Sequence, residues 1–179
     1  IFFIQINIFK ILTALNLPFL KGIEIELERI EDGLETDDYF DISSLRITRV
    51  RRGVYAFNGT MILKYDVDDN ILVKLASGNS KYTLLPLKIT PTLACDALNS
   101  HYKKYLMETL AKSSDFPYIN EGEYLCPLKA GTYNVNMYEF DKDTIPQIHS
   151  GSYKISIYFN STQDNKRAQW NIYGKVLPM

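Results

Sequence analysis

Two cysteines, two histidines, an acidic turn and two Asn-x-Thr sequences are the residues of this chain whose types and spacing could do chemistry. Cys126 precedes a proline in LCPLKAGTYNV (125–135), and the other cysteine is Cys95. A thiolate nucleophile needs a base within reach, and a thiolate metal site needs further ligands at short spacing. His101 and His149 form neither an HxH nor an HxxxH pair, and no cysteine lies at ligand spacing from either. Each therefore reads as a surface or satisfied polar residue. DVDDN (66–70) puts Asp66, Asp68 and Asn70 at the first, third and fifth positions of a calcium loop. Ile71 then stands where that loop needs glycine, and Ser77 where it needs glutamate, so a hairpin turn is expected instead. G-x-S-x-G, P-loop and GxGxxG patterns are absent. The residues predict no metal site, no cofactor and no catalytic group.

Asn58-Gly59-Thr60 and Asn160-Ser161-Thr162 match the N-glycosylation pattern, and each asparagine falls on the polar face of an alternating strand. The first 22 residues, IFFIQINIFKILTALNLPFLKG, are the most apolar part of the chain. Gln5, Asn7 and Lys10 interrupt the run too early for a membrane-spanning helix, which needs about 20 apolar residues. A truncated signal peptide over 1–17 is preferred to a buried N-terminal strand, which leaves 18–179 as a single β domain. In an oxidising compartment an even cysteine count without catalytic neighbours is most simply a structural disulfide, Cys95 to Cys126. Two buried thiols are the alternative.

The elements that must position these residues are mostly strands. Hydrophobic content of 46% with 23% charged residues is ordinary globular composition. The net charge of −1 supplies no general field to attract nucleic acid. RITRVRRG (46–53) could contact phosphate, but beside the acidic DGLETDDYFD (32–41) a paired or solvated surface is expected. IEIELE (23–28) alternates apolar and charged residues, as a half-buried strand does. A long strand is expected from Phe57 to Val67, turning at Asp68–Asn70 into a partner strand that begins Ile71, Val73, Leu75. Pro86 in YTLLPLKI (82–89) suits an edge strand or a bulge. From Thr92 to Lys112, apolar residues at three- and four-residue spacing (Ala94, Leu98, Tyr102, Tyr105, Leu106, Leu110) predict one helix, with Pro91 and Thr92 at its start. Alternation returns around Tyr133, around Ile155, and around Trp170 after the polar turn TQDNKR (162–167). The fold class expected is mainly β: an antiparallel cup or sandwich enclosing an apolar cavity, with one inserted helix.

Five stretches together resemble the insect chemosensory B (CheB-like) proteins. These are a secreted family related to the ganglioside activator and, more loosely, to the MD-2-related lipid-recognition proteins. The stretches are IEIELERIED, RRGVYAFNGTMILKYDVDD, PTLACDALNSHYKKYL, DFPYINEGEYLCPLKAGTYNV and IPQIHSGSYKISIYF, which spread over roughly residues 20–178. The resemblance implies a β cup whose apolar pocket takes up a lipid or other hydrophobic small molecule without catalysis, in gustatory or pheromone perception. The ganglioside activator carries several disulfides and this chain has cysteines for one, so that protein's glycolipid-lifting mechanism and its ligand are not carried over.

The residues expected to line such a pocket are Phe57, Met61, Leu63, Tyr65, Tyr133, Val135, Met137, Ile155, Ile157, Trp170 and Ile172, the inward faces of the strands. The same residues would equally make a filled core, because protein interiors are close-packed. Two functions follow. One is a secreted, extracellular carrier of a hydrophobic small molecule; the other is an extracellular interaction module that works through its surface on a receptor or other protein partner.

Overall fold

The computed structural model describes residues 23–34, 38–79, 84–139 and 150–178. The expected leader, 1–17, and His149 lie outside the described residues. The elements run β1 (Ile23–Asp32), β2 (Phe40–Asp41), β3 (Arg46–Arg51), β4 (Val54–Leu63), β5 (Ile71–Asn79) and β6 (Leu84–Leu93). A helical segment, α1, follows through Ala94–Ala97, Leu98–Tyr102, Lys103–Tyr105 and Met107–Leu110, and then β7 (Gly131–Glu139), β8 (Gly151–Ser161) and β9 (Arg167–Pro178). One sheet has the order β1-β9-β8-β5-β6; in the other, β4 pairs β3 and β2 along one edge and β7 along the opposite edge. The described pairings are antiparallel, as the alternating sequence requires.

The hairpin expected between Phe57–Val67 and Ile71–Leu75 does not form. The turn itself is there: the Asn70 N–H donates to Asp68 Oδ1 at 2.8 Å, and the Ile71 N–H to the Asp68 carbonyl at 3.1 Å. Yet β4 already has partners on both edges, so β5 has no edge to pair with and crosses into the other sheet. The strand also ends at Leu63, short of Tyr65 and Val67.

Bulges reconcile the sequence with this packing. In IEIELERIED the apolar residues fall at 23, 25 and 27 and then at 30, which breaks a period of two. The register of β1 on β9 slips between Leu27 and Arg29, so Ile30 still shares a face with Leu27, opposite Ile172. On β7 the slip lies opposite Asn58, where Met137 takes φ +51° and Tyr138 replaces it on the inner face, opposite Phe57. Gly59 lies beside that slip at φ +133°, and a Cβ there would strike the Ser44 carbonyl.

Pro86, Pro91 and Thr92 belong to β6, an edge strand, where a missing N–H costs little. The helix therefore starts at Ala94, two residues later than expected. Its Leu98–Tyr102 turn is π-helical, and the extra residue rotates the apolar stripe. Met107 is consequently buried at 5% exposure, whereas Tyr105, expected on that face, is 42% exposed. The other buried members of this small cluster are Tyr102 and Ile119. Asn99, expected on the solvent face, clamps the returning loop: its Nδ2 donates to the Leu125 carbonyl at 2.8 Å, and its Oδ1 accepts the Leu125 N–H at 2.9 Å. The next residue is Cys126, bonded to the fully buried Cys95 with their Cα atoms 5.4 Å apart.

That bond closes a loop with a sequence separation of 31. Replacing both cysteines by serine is expected to cost about 3–4 kcal/mol of unfolding free energy, read as a lower denaturant midpoint; an unchanged midpoint would contradict it. A second expectation concerns Tyr102, whose hydroxyl donates to the Pro117 carbonyl at 2.7 Å. Burial, with a smaller contribution from Tyr138, pushes its pKa up to about 12. A raised phenol pKa leaves stability intact below the unfolded value of about 10 and removes it as pH rises through the folded value. Alkaline unfolding should therefore steepen between these two values in the native chain, and Tyr102→Phe should flatten that part of the curve.

Candidate ligand-binding site

The two sheets meet at a block of three aromatic rings. Phe40, on β2, lies 4.7 Å from the ring of Phe159 on β8 and 4.6 Å from that of Trp170 on β9; the last two are 5.1 Å apart. Phe40 is only 3% exposed and belongs to a continuous core with Met61, Leu63, Val67, Ile71 and Val135. Directly opposed residues of antiparallel strands share a face. The face that carries Phe159 is thus the inner face of the five-stranded sheet.

Beyond the aromatic block that face continues as two cross-strand rows. One runs Leu75, Ile157, Trp170, Asp32, and the other Ser77, Ile155, Ile172, Ile30. Ser77 is buried. Leu75, Ile155 and Ile157 are half-buried and, among the described residues, stand outside the core cluster, while Ile30, Trp170 and Ile172 are half-buried along its margin. An apolar lane with incomplete cover therefore lies beside Trp170.

The expected lining residues divide accordingly. Phe57, Met61, Leu63 and Val135 are buried core, and Tyr133 packs half-buried against them with its ring 4.9 Å from Phe116. Ile155, Ile157, Trp170 and Ile172 form the lane. Two residues do not face the interior. Tyr65 lies past the end of β4, 50% exposed, with Lys166 4.6 Å from its ring centroid. Met137 is 38% exposed because the β7 bulge turns it outward. Phe40, Leu75 and Ile30 were not among the expected lining residues. Phe40 sits inside an acidic stretch that reads as a turn, and Ile30 is out of phase until the β1 bulge is known.

Trp170 has the least satisfied polar group of the site. Its indole Nε1 is buried and, among the described residues, has no hydrogen-bond partner. A buried donor left unpaired costs about 1–3 kcal/mol, and neighbouring rings are weak acceptors. Asp32, its cross-strand neighbour, has a carboxyl raised above the ordinary range by burial and by Asp41.

Other polar groups have structural partners. Asp66 accepts the Ala130 N–H at 2.7 Å and the Lys129 ammonium at 2.9 Å, which hold its carboxyl below the ordinary range. Asp69 lies within 4.8 Å of the Cys95 and Cys126 sulfurs, but bonded sulfurs are not thiolate ligands. His101 Nδ1 is 3.0 Å from the Ser100 hydroxyl. Of the basic stretch, Arg51 pairs with Glu139 on β7, at 3.3 Å. Asn58 and Asn160 are both exposed, and Asn58 Oδ1 accepts the Met137 N–H at 3.2 Å. A surface recess of about 430 Å³ lined by Asn160, Ser161 and Asp164 to Arg167 is polar, unlike the lane. Among the described residues no helix is long and apolar enough to cross a membrane.

A family model described as a protein of unknown function, DUF1091, matches residues 70–155. The matched stretch runs from the turn before β5 through the helix, both cysteines and β7 into β8. No curated protein matches the chain. The chain thus resembles, over that stretch, a family whose description states no activity.

Proposed function

We propose that this protein is a non-catalytic, secreted binding protein for a lipid or other hydrophobic small molecule, seated between its sheets. The observation that carries the reading is the inner lane of Leu75, Ile155, Ile157 and Ile172, left half-buried beside the buried core. Folding normally buries such a row, and apolar area brings about 25 cal/mol per Å² when removed from water. A hydrophobic ligand would complete that burial without any reactive group. The disulfide suits an oxidising, extracellular setting. The CheB-like resemblance adds chemosensory perception as the setting. A second reading, an interaction module with a filled core, draws on the close packing of Phe57, Met61, Leu63 and Val135.

A displacement titration with a fluorescent fatty-acid probe separates the two. The native protein should bind the probe and release it to competing lipids. Ile157→Asp, which puts a charge into the lane, should weaken binding about tenfold or more while the circular dichroism spectrum is retained. A folded native protein that takes up no probe, and carries no lipid by native mass spectrometry when purified from its source, would favour the interaction module. The secretory part has its own test. Protein secreted from an insect or mammalian host should lose mass on glycosidase treatment, and Asn58→Gln and Asn160→Gln should each remove one glycan. Identical masses before and after treatment would count against glycosylation at both sites.

A further inference from the structure

The polar recess at the β8–β9 turn opens beside Asn160, and what it holds rests on the glycosylation proposed above. Asn160 lines it together with Ser161, Asp164, Asn165, Lys166 and Arg167. Arg167 is the cross-strand neighbour of Asn160, and directly opposed residues project to the same side of a sheet. The turn between them is fixed from within. Ser161 Oγ accepts the N–H of Gln163 at 3.2 Å and that of Asp164 at 3.1 Å, and Asp164 takes both the N–H and the ammonium of Lys166. Gln163 Nε2 donates to Asn70 Oδ1 at 2.6 Å, and the Thr162 N–H donates to the Asn70 carbonyl at 2.7 Å. Three lining groups stay outside this network. Among the described residues the side-chain amides of Asn160 and Asn165 and the Arg167 guanidinium make no hydrogen bond, and all three residues are exposed. A walled space with uncommitted donors suits a ligand rich in hydroxyl and amide oxygens. Asn58 stands differently, in the middle of a strand flanked on both edges, with its Oδ1 already accepting the Met137 N–H at 3.2 Å.

We infer that the recess seats the first N-acetylglucosamine of a glycan carried by Asn160, with Arg167 and Asn165 donating to its acetamide and hydroxyl oxygens. The attachment joins Asn160 Nδ2 to C1 of the sugar of a lipid-linked pyrophosphate donor; the pyrophosphate leaves and the nitrogen gives up one proton. At about 430 Å³ the recess falls within the range of small-molecule sites, about 300–1,000 Å³, which is room for a sugar ring. Covalent linkage brings that ring to the donors without the cost of association, so modest hydrogen bonds suffice to tie β8 to the turn. The glycan on Asn160 is therefore a structural part of the fold, whereas the one on Asn58 is not.

Asn58→Gln protein secreted from an insect or mammalian host carries the Asn160 glycan alone and tests this directly. An endoglycosidase that leaves the first sugar on the asparagine should not move its denaturant midpoint. Adding Asn160→Gln should raise the unfolding equilibrium constant about two- to tenfold, the range of one net hydrogen bond. Arg167→Ala should abolish that difference when the two changes are combined in a double-mutant cycle. Should Arg167→Ala fail to fold, the native protein with both glycans still decides. The endoglycosidase should release the Asn160 glycan more slowly than the Asn58 glycan, as followed by glycopeptide mass spectrometry, and at the same rate once the protein is denatured. Four results would each overturn the seat while leaving glycosylation intact: a midpoint that falls on trimming to one sugar, equal midpoints with and without the Asn160 glycan, a difference that persists in Arg167→Ala, or release as fast as from Asn58. Secreted protein without a glycan on Asn160 would remove both.

Discussion

The contact of Phe40 with Phe159 and Trp170 is the constraint on which the rest of the architecture depends. Phe40 belongs to a strand of two residues, Phe40–Asp41, attached to the end of β4, yet its ring reaches two strands of the opposing sheet. Tilted and edge-on aromatic pairs add about 0.5–1.5 kcal/mol each beyond the area they bury. Two such contacts, Phe40 with Phe159 and with Trp170, join the sheets at that end. Past the rings, on β8 and its neighbour β5, Leu75, Ile155 and Ile157 keep part of their surface uncovered. The ring contacts and the partly covered lane thus share one inner face.

Sheets that pack in this way need every strand to keep its apolar side inward over ten residues or so. The chain does this by slipping register rather than by perfect alternation. The slips on β1 and β7 each insert a residue that faces out, Glu28 in one and Met137 in the other, so that Ile30 and Tyr138 return to the inner face. Loops are held by side chains that replace missing ladder bonds. Asn99 pairs with the Leu125 backbone, Asp66 with the Ala130 N–H, and Asp115 accepts from both the backbone and the side chain of Asn134. The disulfide joins the helix start to the loop that Asn99 already grips, which makes two independent ties at one point.

Much of this was legible in the residues. Strict alternation in β4, β8 and β9, the single amphipathic helix and the polar turn before Arg167 predicted their elements, because burial on one face imposes a period of two on strands and 3.6 on helices. The pairing of Cys95 with Cys126 followed from an even count without catalytic neighbours once an oxidising compartment was assumed, and the structure decides it against two buried thiols. Phe57, Met61, Leu63 and Val135 were placed inside by the same alternation. What failed was anything that depended on partners distant in sequence. A turn at Asp68–Asn70 implies a hairpin locally, but whether β5 pairs with β4 is decided by β3 and β7, which occupy its edges. Tyr65 and Met137 obey the alternation and still face outward, one because the strand has ended and the other because a bulge has intervened. Fold class and helix were therefore determined by the sequence alone, since they follow from local period. The bulges, the seat of Phe40 and the unpaired Trp170 N–H were decided only by the tertiary structure, because each exists only where two segments far apart in the chain meet and compete for the same space.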